Sequence, residues 1–147
     1  MVKKIAINPP TVWKPELVWN IAYEGKPVPP EKSAWEQGIK KGNWFFMSGQ
    51  TPNAPDGTLV GKDMRTQMIQ VLENMKNMMA AAGGTMNDIC WFNPYFLQPN
   101  IEEGLKNFGE LIPQYMDSPY ASGTAMEVTR LAWRGQLLEI DAIAILD

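Results

Sequence analysis

Two periods of apolar residues run along this chain, one of three to four residues and one of two. Met64, Met68, Val71, Leu72, Met75 and Met79 recur at the spacing of one helical face. Asp63 stands where an N-cap belongs and Gly83-Gly84 where a left-handed terminus belongs, so a helix is predicted between them. Its methionines read as core filler under a sheet, with a methionine-rich partner groove as the alternative. A second helix is predicted after Asn100, which has capping-box spacing to Glu103; its inward stripe is Ile101, Leu105, Phe108 and Ile112, stopped near Pro113. Residues 35–39 and 44–48 flank a polar segment containing Gly42 and read as a hairpin. Residues 88–97 are aromatic enough for a strand, in which Pro94 implies an edge or a bulge. Residues 121–131 and 136–146 supply two closing strands around a Trp133-Arg134-Gly135 turn. The order ββαβαββ predicts an α+β fold with one sheet and two helices packed on one face.

The last strand carries the most informative alternation. Leu138, Ile140, Ala142 and Ala144 point one way, and Glu139, Asp141, Ile143 and Ile145 the other. Two carboxylates beside two isoleucines fit either a surface covered by another subunit or a solvated outer face. Residues 1–34 hold six of the 12 prolines, interleaved with Trp13, Trp19 and Tyr23. This is read as a Pro/Trp-rich N-terminal arm, extended and laid over its own domain or a neighbour, ahead of a domain at 35–147.

Composition narrows the chemistry. The chain has 147 residues, 45% hydrophobic, with a formal net charge of −3, which suits one domain with a proper core. Its 13 Lys and Arg are scattered, so no nucleic-acid surface is expected. No apolar run approaches a membrane span and the start lacks a leader pattern, so a cytoplasmic location is expected. The single cysteine, Cys90, sits among Ile89, Trp91 and Phe92 and reads as a buried, inert thiol. With no histidine, Ser-His and Cys-His nucleophile pairs and the common zinc sites are excluded, leaving carboxylates, amides, hydroxyls and main chain. No metal and no cofactor is expected. At Ser48-Gly49-Gln50 an apolar strand ends in small polar residues, where glycine lets a ligand approach the backbone.

Several ordered features are similar to those of the RidA family (YjgF/YER057c/UK114). They are Gln37-Gly38, Gly42-Asn43, Ser48-Gly49-Gln50 with Pro52, the helix positions Asp63, Gln67 and Asn74, then Ala81-Ala82-Gly83 and Asp88-Ile89. Glu127-Val128, Arg130-Leu131 and the run from Glu139 to Ala144 resemble that family's two closing strands. The resemblance implies a chorismate-mutase-like fold, a homotrimer, and hydrolysis of enamines or imines without metal or cofactor in clefts between subunits. By position it implies that Glu139 orients the attacking water. Trp35, Ser48, Gly49 and Tyr95 would line the substrate cleft, and main chain at Thr124 and Ala125 would face a substrate carboxylate. Gly123 occupies the place of the arginine that grips that carboxylate, which predicts a wider cleft and a different ligand. Arg130 or Arg134 is a candidate substitute.

Two functions follow. The first is a cofactor-free, deaminase-like hydrolase acting on a small unsaturated metabolite, with Glu139 as general base. The alternative is a trimeric small-molecule-binding protein that transforms nothing, its cleft walled by aromatic residues. A nuclease is disfavoured, because the chain lacks histidine and a phosphate-gripping basic patch.

Overall fold

The computed structural model describes residues 1–14 and 34–147. Trp19, Tyr23 and four of the arm's prolines lie outside the described residues. A short strand β1 (Ile5–Ala6) opens the chain, followed by β2 (Gly38–Lys41) and β3 (Trp44–Gln50) as an antiparallel hairpin. Helix α1 (Met64–Ala82) leads through a 3-10 turn to β4 (Ile89–Leu97), and helix α2 (Ile101–Leu111) precedes β5 (Ser122–Gly123), β6 (Met126–Val128) and β7 (Leu138–Ile145). The sheet runs β1-β2-β3-β7-β4-β5, with β6 also pairing β4. Its last strand in sequence is therefore central, held antiparallel by β3 and β4.

Helix α1 follows its local signals. Asp63 accepts the Thr66 amide at 2.8 Å, and Gly83 closes the helix at φ 90°, where a side chain would be strained. The methionine stripe is core: Met64, Met68, Met75 and Met79, with Met78, are fully buried beneath Phe45, Phe96, Leu138 and Ile140. In the arm, β1 pairs with β2, Val12 and Trp13 are buried, and the Gln37 side chain donates to the Trp13 carbonyl.

Several local expectations are corrected. Ile112 is buried and Ile101 and Phe108 pack against the core as expected, but Leu105 is 47% exposed, and the buried positions of α2 are Gly104, Asn107 and Leu111. Gly104 lies against the ring of Phe96, so the helix crosses β4 at a residue without a side chain. The capping box at Asn100 is absent: its amide donates back to Leu97, and Glu127 accepts the Ile101 amide at 3.3 Å. Pro94 is in a central strand, at the gap between β5 and β6, where a residue without an N–H costs the neighbouring ladder least. The register shift falls earlier, between Ile89 and Trp91, and turns Cys90 outward, so the thiol is exposed rather than buried. The long strand expected over 121–131 is two short pieces on the sheet edge.

The Gly104 crossing makes a stability prediction. Gly104→Ala gains about 1 kcal/mol of helix propensity. Its methyl, however, would overlap the Phe96 ring, which is fully buried. Overpacking of this kind costs about 1–3 kcal/mol, so net destabilisation is expected, read as a lower urea midpoint with unchanged slope.

Candidate functional site

Glu139 leaves β7 on the face opposite the helices, because its neighbours Leu138 and Ile140 are both buried in the core. The β3–β7 ladder slips between Met47 and Gln50, and Gly49 sits at that slip. The Glu139 carboxylate fills the space that a side chain at position 49 would need; a methyl there would overlap Oε1. Gly49 is thus required by close approach, and it packs main chain against one edge of the acid. On the other edge, the buried Gln136 side chain donates from Nε2 to Glu139 Oε2 at 3.1 Å and to the Leu138 carbonyl at 3.0 Å. Burial raises the Glu139 pKa above the usual glutamate range; the Gln136 hydrogen bond opposes the shift and the nearby Asp141 charge adds to it.

Tyr95 lies directly across β4 from Glu139. Its hydroxyl donates to Asp141 Oδ2 at 3.0 Å, and Asn93 donates to Asp141 Oδ1 at 2.7 Å. Burial first, then the Asp141 bond and the charges of Asp141 and Glu139, raise the Tyr95 pKa and keep the phenol protonated. Ser48 is on the same face at the end of β3, but its hydroxyl donates to the Glu36 carbonyl at 2.7 Å, which leaves its oxygen as an acceptor only. That bond ties the segment beginning at Trp35 to the end of β3.

Gly123, Thr124 and Ala125 are elsewhere. With Phe92, Pro94, Leu105 and Phe108 they line a cavity of about 230 Å³ between the β5 edge and α2, on the helix side of the sheet. Within one chain the acid and this segment lie on opposite faces. The expectation that glycine at 123 widens a cleft is overturned: the space next to its Cα is filled by the Phe92 carbonyl, with which even a methyl would overlap. The same carbonyl accepts the Thr124 amide at 3.2 Å.

Sequence reasoning missed Gln136, Asp141 and Asn93 as partners around the acid. Alternation had placed Asp141 on the correct face. Gln136 precedes the strand, and its reach to Glu139 has no sequence signal. Among the described residues no group of three or more Cys, Asp or Glu is arranged to hold a metal, and no helix is long and apolar enough to cross a membrane.

A two-helix, one-sheet α+β domain of this kind is a layout shared with known proteins. The sequence profile of the family described as Endoribonuclease L-PSP matches residues 27–146. A RutC family protein of Pyrococcus horikoshii is 36% identical over 120 residues, 81% of this chain and 89% of its own. TdcF of Escherichia coli (strain K12), provisionally named a reactive intermediate deaminase, is 30% identical over 112 residues, 74% of this chain and 84% of its own. The crystal structure of E. coli TdcF with bound serine superposes with a TM-score of 0.74 over 97% of this chain and 99% of its own, at 23% identity. RidA from an Antarctic Psychrobacter superposes with a TM-score of 0.70 over 92% and 98%, at 25% identity. This chain belongs to the Endoribonuclease L-PSP family, the RidA/YjgF group.

Proposed function

We propose that this protein is a cofactor-free hydrolase of enamines or imines, with Glu139 as its general base. The observation that carries this reading is a carboxylate half-withdrawn from water, packed on Gly49 and steered by Gln136, with its proton affinity raised by burial. An enamine presents its imine tautomer, and water adds to the C=N carbon as Glu139 takes one of the water's protons. The protonated acid returns that proton to nitrogen, giving a neutral carbinolamine; the carboxylate then takes the hydroxyl proton and passes it to the amine as the C–N bond breaks, so that ammonia leaves with a carbonyl product. Water supplies the oxygen, and the glutamate ends as it began. The relative TdcF, provisionally named a deaminase of reactive intermediates, supports the reaction class.

The site is proposed to lie between subunits of a homotrimer. Trp44, Phe46, Trp91 and Ile145 are 46%, 45%, 37% and 37% exposed on the same sheet face as Glu139, an apolar surface that a second copy would cover. Such a neighbour also offers a way for Thr124 and Ala125 of one copy to meet Glu139 of another. Trp35, Tyr95, Ser48 and Gly49 are proposed as the walls of the cleft. The arm at 1–34 and domain at 35–147 remain the proposed division of the chain, and the cytoplasm its proposed location.

Ammonia release across a panel of enamines and imines, including 2-aminoacrylate, is the direct test. Turnover abolished by Glu139→Gln supports the hydrolase. Ligand binding without ammonia release from any member supports the second reading, a trimeric binding protein, which the exposed aromatic residues of the same face favour. The family's nuclease label fits this chain poorly, because it has no histidine and an acidic balance.

A further inference from the structure

The turn between β6 and β7 borders a half-open cavity of about 530 Å³ lined by Leu97, Leu131 and Trp133, by the exposed Arg130 and Arg134, and by Gln136. The chain has three arginines. Arg65 bonds Glu110 at 2.7 Å and Asn107 at 3.3 Å. The other two share this cavity, and among the described residues its lining contains no carboxylate and neither arginine has an ion pair or hydrogen bond. In a chain of net charge −3, two guanidinium groups beside one cavity without an acidic partner among the described residues make a local field that selects an anion. The walls define the rest of that anion. The ring of Trp133 packs edge-on against the buried Trp13 at 6.3 Å, and Leu97 and Leu131 complete an apolar surface suited to a flat or aliphatic body.

Gln136 joins this cavity to the acid. Its Oε1 accepts the Trp133 amide at 3.0 Å, while its Nε2 donates to Glu139 Oε2. We propose that Arg130 and Arg134 hold the carboxylate of a small organic anion with an apolar body, and that this cavity is where the protein grips the acid end of its substrate. The proposal rests on the hydrolase reading for its second half only; the anion site stands on the cavity and its two arginines. Position 123, where an arginine grip was expected from the resemblance, has no room for a side chain, so the grip is supplied from the opposite end of β6.

The test is calorimetric titration of the full chain at low salt with benzoate, with its neutral isostere benzamide and with inorganic phosphate. Benzoate is expected to bind more tightly than benzamide, and to weaken about ten- to a hundredfold in Arg130→Gln or Arg134→Gln, the loss of one charged hydrogen-bonding partner. Arg134→Lys keeps the charge and is expected to restore part of the affinity, which a merely structural role would not. Equal affinity for benzoate and benzamide, or benzoate binding undiminished when both arginines are glutamine in a folded chain, overturns the site. Phosphate binding as tightly as benzoate with the same dependence overturns the organic-carboxylate assignment. For any anionic enamine that is turned over, the arginine variants should raise KM at least tenfold and leave kcat within a few fold, whereas Glu139→Gln lowers kcat. Turnover with KM indifferent to both arginines removes the substrate grip and leaves the hydrolase standing. No turnover, with arginine-dependent benzoate binding intact, removes the hydrolase and leaves the site.

Discussion

Replacing Glu139 with glutamine is expected to lower turnover about 10²- to 10⁴-fold, the usual contribution of a positioned general base, while leaving ligand affinity within a few fold. Glutamine keeps the shape of the side chain and can still accept from Gln136 Nε2, so the loss isolates proton transfer. The same variant should be more stable than the wild type at neutral pH. Burial raises the native-state pKa of Glu139 above its value of 4.5 in the unfolded chain, so the native state binds the proton more tightly. That contribution is fully present below the unfolded pKa and is lost as pH rises through the folded one. Glutamine carries no charge to desolvate, so its advantage in melting temperature should appear above pH 4.5 and vanish in more acidic buffer. On the activity side, wild-type kcat/KM should fall in acid with an apparent pKa above the ordinary glutamate range, and the variant should lack that limb. Thermal melts and a pH–rate profile check both halves. A variant that is inactive and also less stable at pH 7 would point to a structural pairing at this position instead of a catalytic acid kept at a cost to the fold.

Arginine introduced at position 123 is expected to damage the fold and to yield no hydrolysis of 2-aminoacrylate. The difficulty begins at the first carbon of the side chain, which would overlap the main-chain carbonyl of Phe92. Backbone does not turn aside as a side-chain end does, so β5 must move off β4, losing the Phe92–Gly123 pairing and the bond from the Thr124 amide. Overpacking and a lost ladder bond together cost about 2–4 kcal/mol. Gly123→Ala should show most of the same destabilisation, because the clash is already complete at Cβ. Urea unfolding of both variants reads the loss directly. If Gly123→Arg proved as stable as wild type and gained deamination, the β5 edge would have to be able to shift, and the carboxylate grip assigned to Arg130 and Arg134 would be redundant.

Much of this architecture was legible along the chain because its determinants are local. The Asp63 cap, the stripe from Met64 to Met79 and the left-handed Gly83 specify α1 with no reference to distant residues, since each acts within one or two turns. The two-residue alternation of β7 likewise separated Glu139 and Asp141 from the core, because a strand's pleat allows its side chains only two directions. Long-range approach decided the rest. Leu105 had the right spacing for the core, but Gly104 lets α2 sit directly on Phe96 and turns Leu105 to solvent. Cys90 had apolar neighbours, yet a slip in the β4–β7 ladder faces it outward. Gly123 suggested open space where the Phe92 carbonyl stands. The acid shows the division most clearly: the pattern of apolar residues chose its face, while its raised proton affinity comes from burial, to which the close packing of Gly49, 90 positions before it, contributes, and which the hydrogen bond from Gln136 opposes. Periodicity reports the direction of a side chain, whereas desolvation and hydrogen bonding depend on what the fold brings to it.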